Sequence, residues 1–393
     1  MKRYRVWLAV LALITASCTI PKKSEEPPPM VEESAPVAMP PLAPPPPPPP
    51  PAPAPKPDGA PRDGQSTYAV VKVFYATDRK KTESSKPAEL FGRDRGTLTY
   101  GTCQVSIPRD HRIGELEAPS IWRLEFREDP ERHVVLLQVA PQDKNAFFAD
   151  MANRVRTSTG KKLLLFVHGY NVTFADAARR TAQMSYDLAF DGAPVFYSWP
   201  SQGELQDYLV DETNVEWTQE DLAGFLTDIA TRTKAESIYL IAHSMGNRAL
   251  ARAFATIAAE RPELRGKFKE VILTAPDIDA DVFKRDIAPH IAGVGHPVTL
   301  YASAADKALI ASKKVHGYPR AGDAGDGLIL LPGVETIDAT QVDTDFLGHS
   351  YYGESTSVIA DLFFLIHQDK RPPQRGGLQE VVTPTGRYWK IAQ

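Results

Sequence analysis

Short apolar runs that alternate with helical segments constrain the fold of this chain more than any other feature of its sequence. The runs lie at 163–167, 195–197, 238–242, 271–274 and 298–301, with a shorter candidate at 334–337. Runs without polar alternation are typical of parallel strands that are buried on both faces. Between them, apolar residues recur at helical spacing, as at Leu250, Phe254 and Ile257. The pattern predicts an α/β domain with a mostly parallel, doubly wound sheet.

The N-terminal part of this domain has a different pattern. Strand-like runs at 69–75, 98–107, 122–126 and 134–139 precede the first convincing helix, separated by Gly, Pro and charged clusters. We expect these runs to form an antiparallel start to the sheet. The domain is predicted to span residues 66–370, and residues 371–393 are predicted to form a C-terminal tail.

The first residues are typical of an exported protein. Lys2, Arg3 and Arg5 precede an apolar run at 6–14, which is too short to span a bilayer. The following Thr-Ala-Ser-Cys resembles the lipobox of bacterial lipoproteins. This resemblance implies a signal peptide at residues 1–17 and a lipid on Cys18 that anchors the protein to a membrane of the bacterial cell envelope, outside the cytoplasm. An ordinary cleaved secretory signal is the alternative.

Within residues 18–65, proline dominates from 21 to about 61, where the run at 44–51 is unbroken and almost no aliphatic residue is available for a core. Such segments favour extended polyproline II, so some forty residues at ~3.1 Å each reach on the order of 100 Å. We expect a disordered tether that holds the domain clear of the membrane; a ligand for a proline-recognising domain is the alternative. Cys103 is the only other cysteine, so with Cys18 lipidated no intrachain disulfide is expected.

Charge and motifs argue against several function classes. The formal net charge is −4 and charges of both signs are interspersed, which provides no basic face for nucleic acid. The sequence has no Gly-rich phosphate loop with its lysine, no Cys-x-x-Cys pair and no His-x-x-x-His pair. We therefore expect neither a metal ion nor a cofactor.

One serine lies where a strand leads directly into a helix. The apolar run at 238–242 continues through Ser244 into the next helical segment. Strand, serine and helix form the context of a nucleophile elbow, in which the serine sits on a turn too tight for large neighbours. Ala242 and Gly246, two positions before and after the serine, are small as this turn requires. Ser244 is therefore the predicted nucleophile.

With these residues the chain resembles the α/β-hydrolase superfamily, with Ala242 in place of the first glycine of the usual G-x-S-x-G. The resemblance implies an α/β-hydrolase fold and an oxyanion hole made of two backbone N–H groups. One is that of Met245, after the nucleophile. The other is that of Tyr170, which follows the His168-Gly169 pair at the end of an earlier strand run. For the His168 imidazole itself we expect a supporting role in the loop.

The superfamily's chain order implies an acid and then a histidine after the nucleophile. Asp306 follows the second strand run beyond the elbow, which is the superfamily's commonest position, and Asp277 follows the first. We predict Asp306 as the acid and keep Asp277 as the alternative. His349 is the predicted base because it follows the last strand candidate within a Gly-preceded loop. His316 is interpreted as a surface loop residue, and His367 as the end of a helix.

Five short motifs look like one bacterial α/β-hydrolase family of unknown function. They are His-Gly-Tyr-Asn at 168–171, Tyr-Ser-Trp-Pro-Ser at 197–201, Ala-His-Ser-Met-Gly-Asn-Arg at 242–248, Ala-Pro-Asp-Ile-Asp at 275–279 and Gly-His-Ser-Tyr-Tyr at 348–352. The resemblance runs from about residue 73 to 366. It implies a serine hydrolase that cleaves a carboxylic ester in a small-molecule acyl substrate. An acyltransferase or amidase with the same triad, and a non-catalytic, surface-tethered binding protein, are the alternatives.

The segment 199–217 follows a strand at its C-terminal end, where ligands bind in open α/β sheets. Five aromatic residues lie in this segment or just after the predicted base: Trp199, Tyr208, Trp217, Tyr351 and Tyr352. They fit either an aromatic lining at the entrance of the site or the packing of helices over the sheet. Acids at 204, 207, 211, 212 and 216 argue against an apolar lid. We therefore expect a small or polar ester.

Overall fold

The computed structural model describes residues 67–119, 125, 127–293, 297–325, 327–342 and 356–392. Several sequence predictions fall outside these residues: the signal peptide, Cys18 and the proline-rich tether, all but one residue of the strand predicted at 122–126, and His349, Tyr351 and Tyr352.

An eleven-stranded sheet organises the described residues. Its strands are β1 (Tyr68–Lys81), β2 (Phe91–Pro108), β3 (Val135–Gln142), β4 (Lys162–Val167), β5 (Ala193–Ser198), β6 (Ser237–His243), β7 (Phe268–Thr274), β8 (Val298–Ala302), β9 (Val334–Asp338), β10 (Leu378–Thr383) and β11 (Gly386–Ile391). Their spatial order is β10-β11-β9-β8-β7-β6-β4-β5-β1-β2-β3. Neighbours from β11 to β1 are parallel, and the remaining pairs are antiparallel. The predicted class, a mostly parallel sheet with antiparallel N-terminal strands, is confirmed.

The central strands are buried on both faces, as their apolar sequences require. In β4, Leu163, Leu165 and Val167 belong to one core cluster, and Leu164 and Phe166 belong to another. Because successive side chains point to opposite faces, a strand between two layers of helices has no solvent face. This is why runs of consecutive aliphatic residues predicted the positions of these strands.

The first two strands form a long antiparallel hairpin, and β3 continues the sheet to its edge. The register pairs Val73 with the buried Cys103, and the hairpin extends until Lys81 pairs with Phe91. Both strands are therefore longer than predicted. The apolar runs marked only their buried parts, whereas backbone pairing continues through polar residues with register shifts.

The C-terminal residues differ from the predicted tail. Strands β10 and β11 form an antiparallel hairpin, and β11 pairs with β9 where Trp389 lies opposite Ile337. Trp389 and Ile391 are buried in the core. The hairpin was not recognised in the sequence because an edge hairpin buries few side chains and leaves others, such as Val382, exposed.

Helices cover both faces of the sheet. They are α1 (Lys144–Thr157), α2 (Phe174–Asp187), α3 (Tyr208–Trp217), α4 (Gln219–Arg232), α5 (Gly246–Glu260), α6 (Ala280–Val282), α7 (Ala288–Ile291), α8 (Lys307–His316) and α9 (Thr356–Gln368). α1, α4 and α5 contribute to the core on one face, and α2 and α9 contribute on the other. A Thr173–Asp176 capping box begins α2, and Gly317 at φ 77° ends α8. Within the ranges given above, no helix is both long and apolar enough to cross a membrane.

Candidate active site

The order of the strands brings two separately predicted motifs to one place. After β4 the chain forms β5 on one side of it, and then returns to form β6 on the other side. In open α/β sheets such a reversal opens a crevice at the carboxyl ends of the strands. The loop after β4 carries residues 168–171, and the turn after β6 carries Ser244. The predicted oxyanion loop and the predicted nucleophile therefore lie at neighbouring strand ends.

Ser244 lies on the turn between β6 and α5 in the conformation expected of a nucleophile elbow. Its φ is 48°, in the left-handed region that residues with a side chain seldom adopt. The Ser244 N–H donates to the Thr274 carbonyl at 3.0 Å, and the Asn247 side-chain amide donates to the Ser244 carbonyl at 2.9 Å. These bonds to β7 and α5 hold the strained turn in place.

Two glycines allow the elbow and the loop after β4 to approach each other. A Cβ on Gly246 would lie 2.2 Å from the His168 carbonyl oxygen, and a Cβ on Gly169 would lie 3.0 Å from the Ser244 Cβ. The first distance is far below van der Waals contact, so only glycine fits at the start of α5. The loop that carries Tyr170 is thereby held against the predicted nucleophile.

The two residues of the predicted oxyanion hole adjoin this contact. Met245 immediately precedes α5, so its N–H is one of the amides at the positive end of the helix dipole. Tyr170 follows Gly169, and its ring packs edge-on against Tyr208 with centroids 5.2 Å apart. Backbone amides so placed can stabilise an oxyanion that forms on Ser244 attack.

His168 is a buried support of this loop. Its Nδ1–H donates to the Gly169 carbonyl at 2.7 Å, and its Nε2 accepts from the Ser198 hydroxyl at 3.2 Å. The ring stacks on that of Trp199, with centroids 5.1 Å apart. Burial and, to a smaller extent, the positive charge of Arg79 lower the pKa of His168 to about 3, so the imidazole is neutral.

A buried guanidinium, which the sequence analysis did not single out, joins β1 to the same support. Arg79 donates to the Ser198 hydroxyl at 2.8 Å, to the Ser201 carbonyl at 2.9 Å and to the Val172 carbonyl at 2.7 Å. Burial lowers the pKa of Arg79 to about 10, which leaves it charged at neutral pH. Because the planar guanidinium holds its N–H donors in a fixed arrangement, Arg79 fixes the distance between the segments after β4 and β5.

A second buried charge, Asp211 of α3, holds the same two segments from the other side. Its carboxylate accepts from the Ser201 hydroxyl at 2.6 Å, from the Gln202 N–H at 2.8 Å and from the Asn171 N–H at 3.3 Å. Burial raises the pKa of Asp211. No sequence signal marked Asp211 or Arg79, because charged residues are normally predicted at the surface.

Asp277, the alternative acid, already has donors on both oxygens. Oδ2 accepts from the Tyr208 hydroxyl at 2.5 Å and from Arg248 at 3.2 Å. Oδ1 accepts from the Ser312 hydroxyl at 2.6 Å and faces Arg320 at 3.1 Å. The side chain is only 2% exposed. A catalytic histidine would have to displace one of these donors, two of which carry the counter-charges of the buried carboxylate.

Asp306, the predicted acid, lies beyond the carboxyl end of β8, which is the second strand from β6 in the sheet. It is the N-cap of α8, where Oδ1 accepts from the Leu309 N–H at 2.9 Å. The predicted base His349 lies outside the described residues. The pairing of Asp306 with His349 therefore stays a prediction.

The two other histidines that were considered as bases have local partners. His316 is the last residue of α8 rather than a surface loop residue, and it contacts Glu212 at 2.7 Å and the Ser312 carbonyl at 2.8 Å. His367 lies near the end of α9, where its Nε2 donates to the Leu188 carbonyl at 2.7 Å. Burial lowers the pKa of His367.

The solvent-facing side of the segment after β5 is less polar than the five acidic residues in its sequence suggest. Asp211 is buried, and Glu212 pairs with Arg248 at 2.7 Å. Leu209 and Val210, in contrast, are largely exposed. Two of the five acids therefore face the protein while two aliphatic residues face solvent, an arrangement that a count of charges does not reveal.

The described groups suit attack on a carbonyl carbon. A serine hydroxyl on a strained turn lies beside backbone amides at a helix N-terminus, and such amides stabilise an oxyanion. Within the residues that the structure covers, no group of three His, Cys, Asp or Glu side chains is arranged to hold a metal ion.

Comparison with known proteins gives a family match over the centre of the chain. Residues 143–367 match the family described as alpha/beta hydrolase of unknown function (DUF900). An uncharacterised protein of Nostoc sp. is 26% identical over 188 residues, which cover 40% of this chain and 48% of that protein. The match thus spans about half of that relative's length. The family match and the sheet together show the α/β-hydrolase fold that the sequence predicted.

Solved structures similar to this chain share little sequence with it. A poly(3-hydroxybutyrate) depolymerase from Bordetella parapertussis is 12% identical, with 70% of this chain and 86% of that chain covered and a TM-score of 0.31. A fungal esterase from Rhizomucor miehei is 10% identical, with 77% and 85% covered and a TM-score of 0.34. A putative α/β-superfamily hydrolase from Xanthomonas campestris is 13% identical, with 53% and 99% covered and a TM-score of 0.29.

Proposed function

This chain belongs to the family of α/β-hydrolases of unknown function that its residues 143–367 match, and we propose that it is a serine hydrolase that cleaves a carboxylic ester. The observation that carries the proposal is the backbone of Ser244, at φ 48°, on a strand–turn–helix connection against Gly169. A residue with a side chain keeps this conformation only where its surroundings enforce it, and such strain clusters at reactive sites.

The proposed reaction proceeds through an acyl-enzyme. His349 takes the proton of Ser244 Oγ as this oxygen attacks the ester carbonyl carbon. The N–H groups of Tyr170 and Met245 stabilise the oxyanion of the tetrahedral intermediate. The intermediate collapses, and the alcohol leaves with the proton that His349 returns. Water, activated by the same imidazole, then hydrolyses the acyl-enzyme, while Asp306 orients the ring and stabilises its positive charge.

Asp306 is proposed as the acid because the two candidates differ in their environments. Asp277 is surrounded by four donors from α3, α5 and α8 and the turn after α8, so it acts as a structural anchor. Asp306 also follows the second strand run beyond the elbow, where the superfamily most often carries its acid.

A fluorophosphonate probe tests the nucleophile without knowledge of the substrate. We expect the intact chain to be labelled, Ser244→Ala to be unlabelled, and His349→Ala to be labelled very slowly. Ser237→Ala, at the opposite end of β6, is the matched control and should label like the parent chain. Absence of labelling in the folded parent chain would leave a non-catalytic binding protein as the better reading.

An ester panel of graded acyl length then defines the reaction. Hydrolysis by the parent chain, with none by Ser244→Ala, is the expected result. Acyl transfer to added alcohols or amines, in preference to water, would make the protein an acyltransferase. Cleavage of amides at rates similar to those of esters would make it an amidase.

We further propose that Cys18 carries a lipid that anchors the chain to a membrane of the bacterial cell envelope, on the side away from the cytoplasm. The lipobox-like tetrapeptide before the proline-rich segment supports this. Metabolic labelling with an alkyne fatty acid tests it: Cys18→Ser should abolish the label. Cys103→Ala is the matched control, because Cys103 is buried and should not be acylated.

A further inference from the structure

Helices α3 and α8 lie side by side next to the predicted nucleophile. The Tyr208 and Ser312 hydroxyl oxygens lie 3.0 Å apart, and each donates its proton to Asp277. Glu212 contacts His316 at 2.7 Å. Both helices are also tied to Asp277, whose backbone N–H donates to the carbonyl of the elbow serine at 3.2 Å. The side chains that join these helices to each other and to Asp277 are therefore polar and hydrogen-bonded.

Several of the side chains that these helices turn toward solvent are large and apolar. Eight large hydrophobic side chains are exposed among the described residues, and six of them belong to α3, to α8 or to the turn after α8. One of the six, Trp217 at the end of α3, lies against the Arg95 guanidinium, which leaves five. These five are Leu209 (65% exposed), Val210 (48%), Ile310 (41%), Val315 (63%) and Tyr318 (63%), and we call them the α3–α8 surface. Clusters of exposed apolar residues are uncommon on soluble proteins and mark binding surfaces.

Lysines share the exposed face of α8 with these apolar residues. Lys307, Ile310, Lys314 and Val315 are all exposed, and their spacing of three, four, seven and eight positions puts them on one side of the helix. A face of this composition fits the boundary of a bilayer. Aliphatic side chains enter the edge of the acyl region there, while ammonium groups meet anionic headgroups.

We propose that the α3–α8 surface docks on the surface of a lipid bilayer that contains anionic phospholipid. The inference rests on the proposed lipid on Cys18, which keeps a bilayer within reach. About fifty residues separate Cys18 from β1. Attachment at a position so distant in sequence does not by itself orient the domain. The α3–α8 surface supplies the orientation, and it turns the carboxyl ends of the central strands, where Ser244 lies, toward the membrane.

A fluorophore at one position of this surface tests the docking in the full lipidated chain, reconstituted into vesicles. Cys103 is buried and Cys18 is acylated in the proposal, so a thiol-reactive dye reports from an introduced cysteine. The test variant is Val315→Cys. The matched control is Val382→Cys on β10, at a residue that is 77% exposed and lies at the edge of the sheet. Labelling of the unmodified chain would reveal a Cys18 without lipid.

We expect the dye at position 315, but not at position 382, to shift its emission to the blue in anionic vesicles. Brominated phospholipids should quench it at least about threefold more strongly at 315 than at 382. Leu209→Ser, added to the Val315→Cys chain, removes an aliphatic side chain from the interface and should weaken docking about 10-fold. Lys314→Glu should weaken it in anionic vesicles and have little effect in zwitterionic ones.

Equal quenching by brominated lipid at the two positions would overturn the proposal, as would equal access of aqueous iodide. A blue shift at position 315 in detergent without vesicles, increasing with protein concentration, would assign the surface to a second copy of the chain instead. Fluorophosphonate labelling of Ser244 in the same samples reports separately on the proposed hydrolase activity. A failure of docking and a failure of that activity are thus distinguishable.

Discussion

Replacement of Asp306 by asparagine should remove catalysis and leave stability nearly unchanged. Asp306 caps α8 by accepting from the Leu309 N–H at 2.9 Å. Asparagine caps helices about as well as aspartate, so the free energy of unfolding should change by less than ~0.5 kcal/mol. The negative charge that stabilises the protonated base is lost, however, and this loss lowers kcat of a Ser–His–Asp triad about 10⁴-fold.

Replacement of Asp277 by asparagine should instead lower stability and keep most of the catalytic activity. Asp277 pairs with Arg248 at 3.2 Å and with Arg320 at 3.1 Å, and these guanidinium groups are 15% and 4% exposed. Leaving buried charges without their partner costs about 3–5 kcal/mol. Dividing this loss of unfolding free energy by the unfolding entropy of some 300 ordered residues gives a decrease in Tm of roughly 4–8 °C. While the domain is folded, kcat should stay within about 10-fold of the parent value, because the triad charge is retained.

The rate of fluorophosphonate labelling at Ser244 and the Tm from scanning calorimetry separate the two profiles. Asp143→Asn is the matched control, because Asp143 caps α1 as Asp306 caps α8 and has no predicted catalytic role. It should change neither quantity. Slow labelling and an unchanged Tm for Asp277→Asn, together with fast labelling for Asp306→Asn, would move the triad acid to Asp277. A large decrease in Tm for Asp306→Asn would refute the inference that asparagine can replace aspartate as the N-cap of α8.

Three further predictions concern the support of the site and the dependence on pH. Gly246→Ala puts a Cβ 2.2 Å from a backbone carbonyl, so labelling at the elbow should slow at least about 100-fold. Gly224→Ala, with no atom within 4 Å of the new Cβ, should keep full activity and gain up to ~1 kcal/mol of stability. Arg79→Met leaves several buried acceptors unpaired and should lower the free energy of unfolding in urea by about 3 kcal/mol. Burial opposes charge on His111, but two hydrogen-bonded carboxylates together raise its pKa to about 9. This stabilisation is complete below the unfolded pKa of about 6.5 and is lost as pH rises through about 9, so the stability measured in urea should decline over that interval in the parent but not in His111→Gln.

The parallel core could be predicted because its strands are buried on both faces. In β4 and β6 every core position must be apolar, so the residues themselves mark the strands. The edges could not be predicted in the same way. At β10 and β11 one face meets solvent and accepts charged residues, so residues 371–393 carry little of the pattern that a buried strand imposes.

The nucleophile turn could be predicted because its geometry restricts the residues beside it. Gly246 is required by the 2.2 Å approach to a backbone carbonyl, a restriction that acts on one position and is therefore visible in the sequence. The supports of the oxyanion loop leave no such mark. Arg79 and Asp211 are stable inside only because acceptors and donors from β5 and from the loop after β4 reach them, and these partners are distant in sequence.

The segment that forms α3 is rich in acidic residues, yet its exposed side chains include two aliphatic ones. Its inward-facing acids support the proposed active site, and its exposed aliphatic residues belong to the proposed docking surface. Asp211 and Glu212 make their bonds inward, to the oxyanion loop and to an arginine of α5, so the outward face is left to Leu209 and Val210. One helix therefore positions the loop that carries Tyr170 and presents an apolar surface beside it. Because the two faces are independent, Leu209→Ser should weaken membrane docking and keep the labelling rate. Asp211→Ala should slow labelling with or without vesicles, and equal effects of the two variants on both readouts would contradict this division.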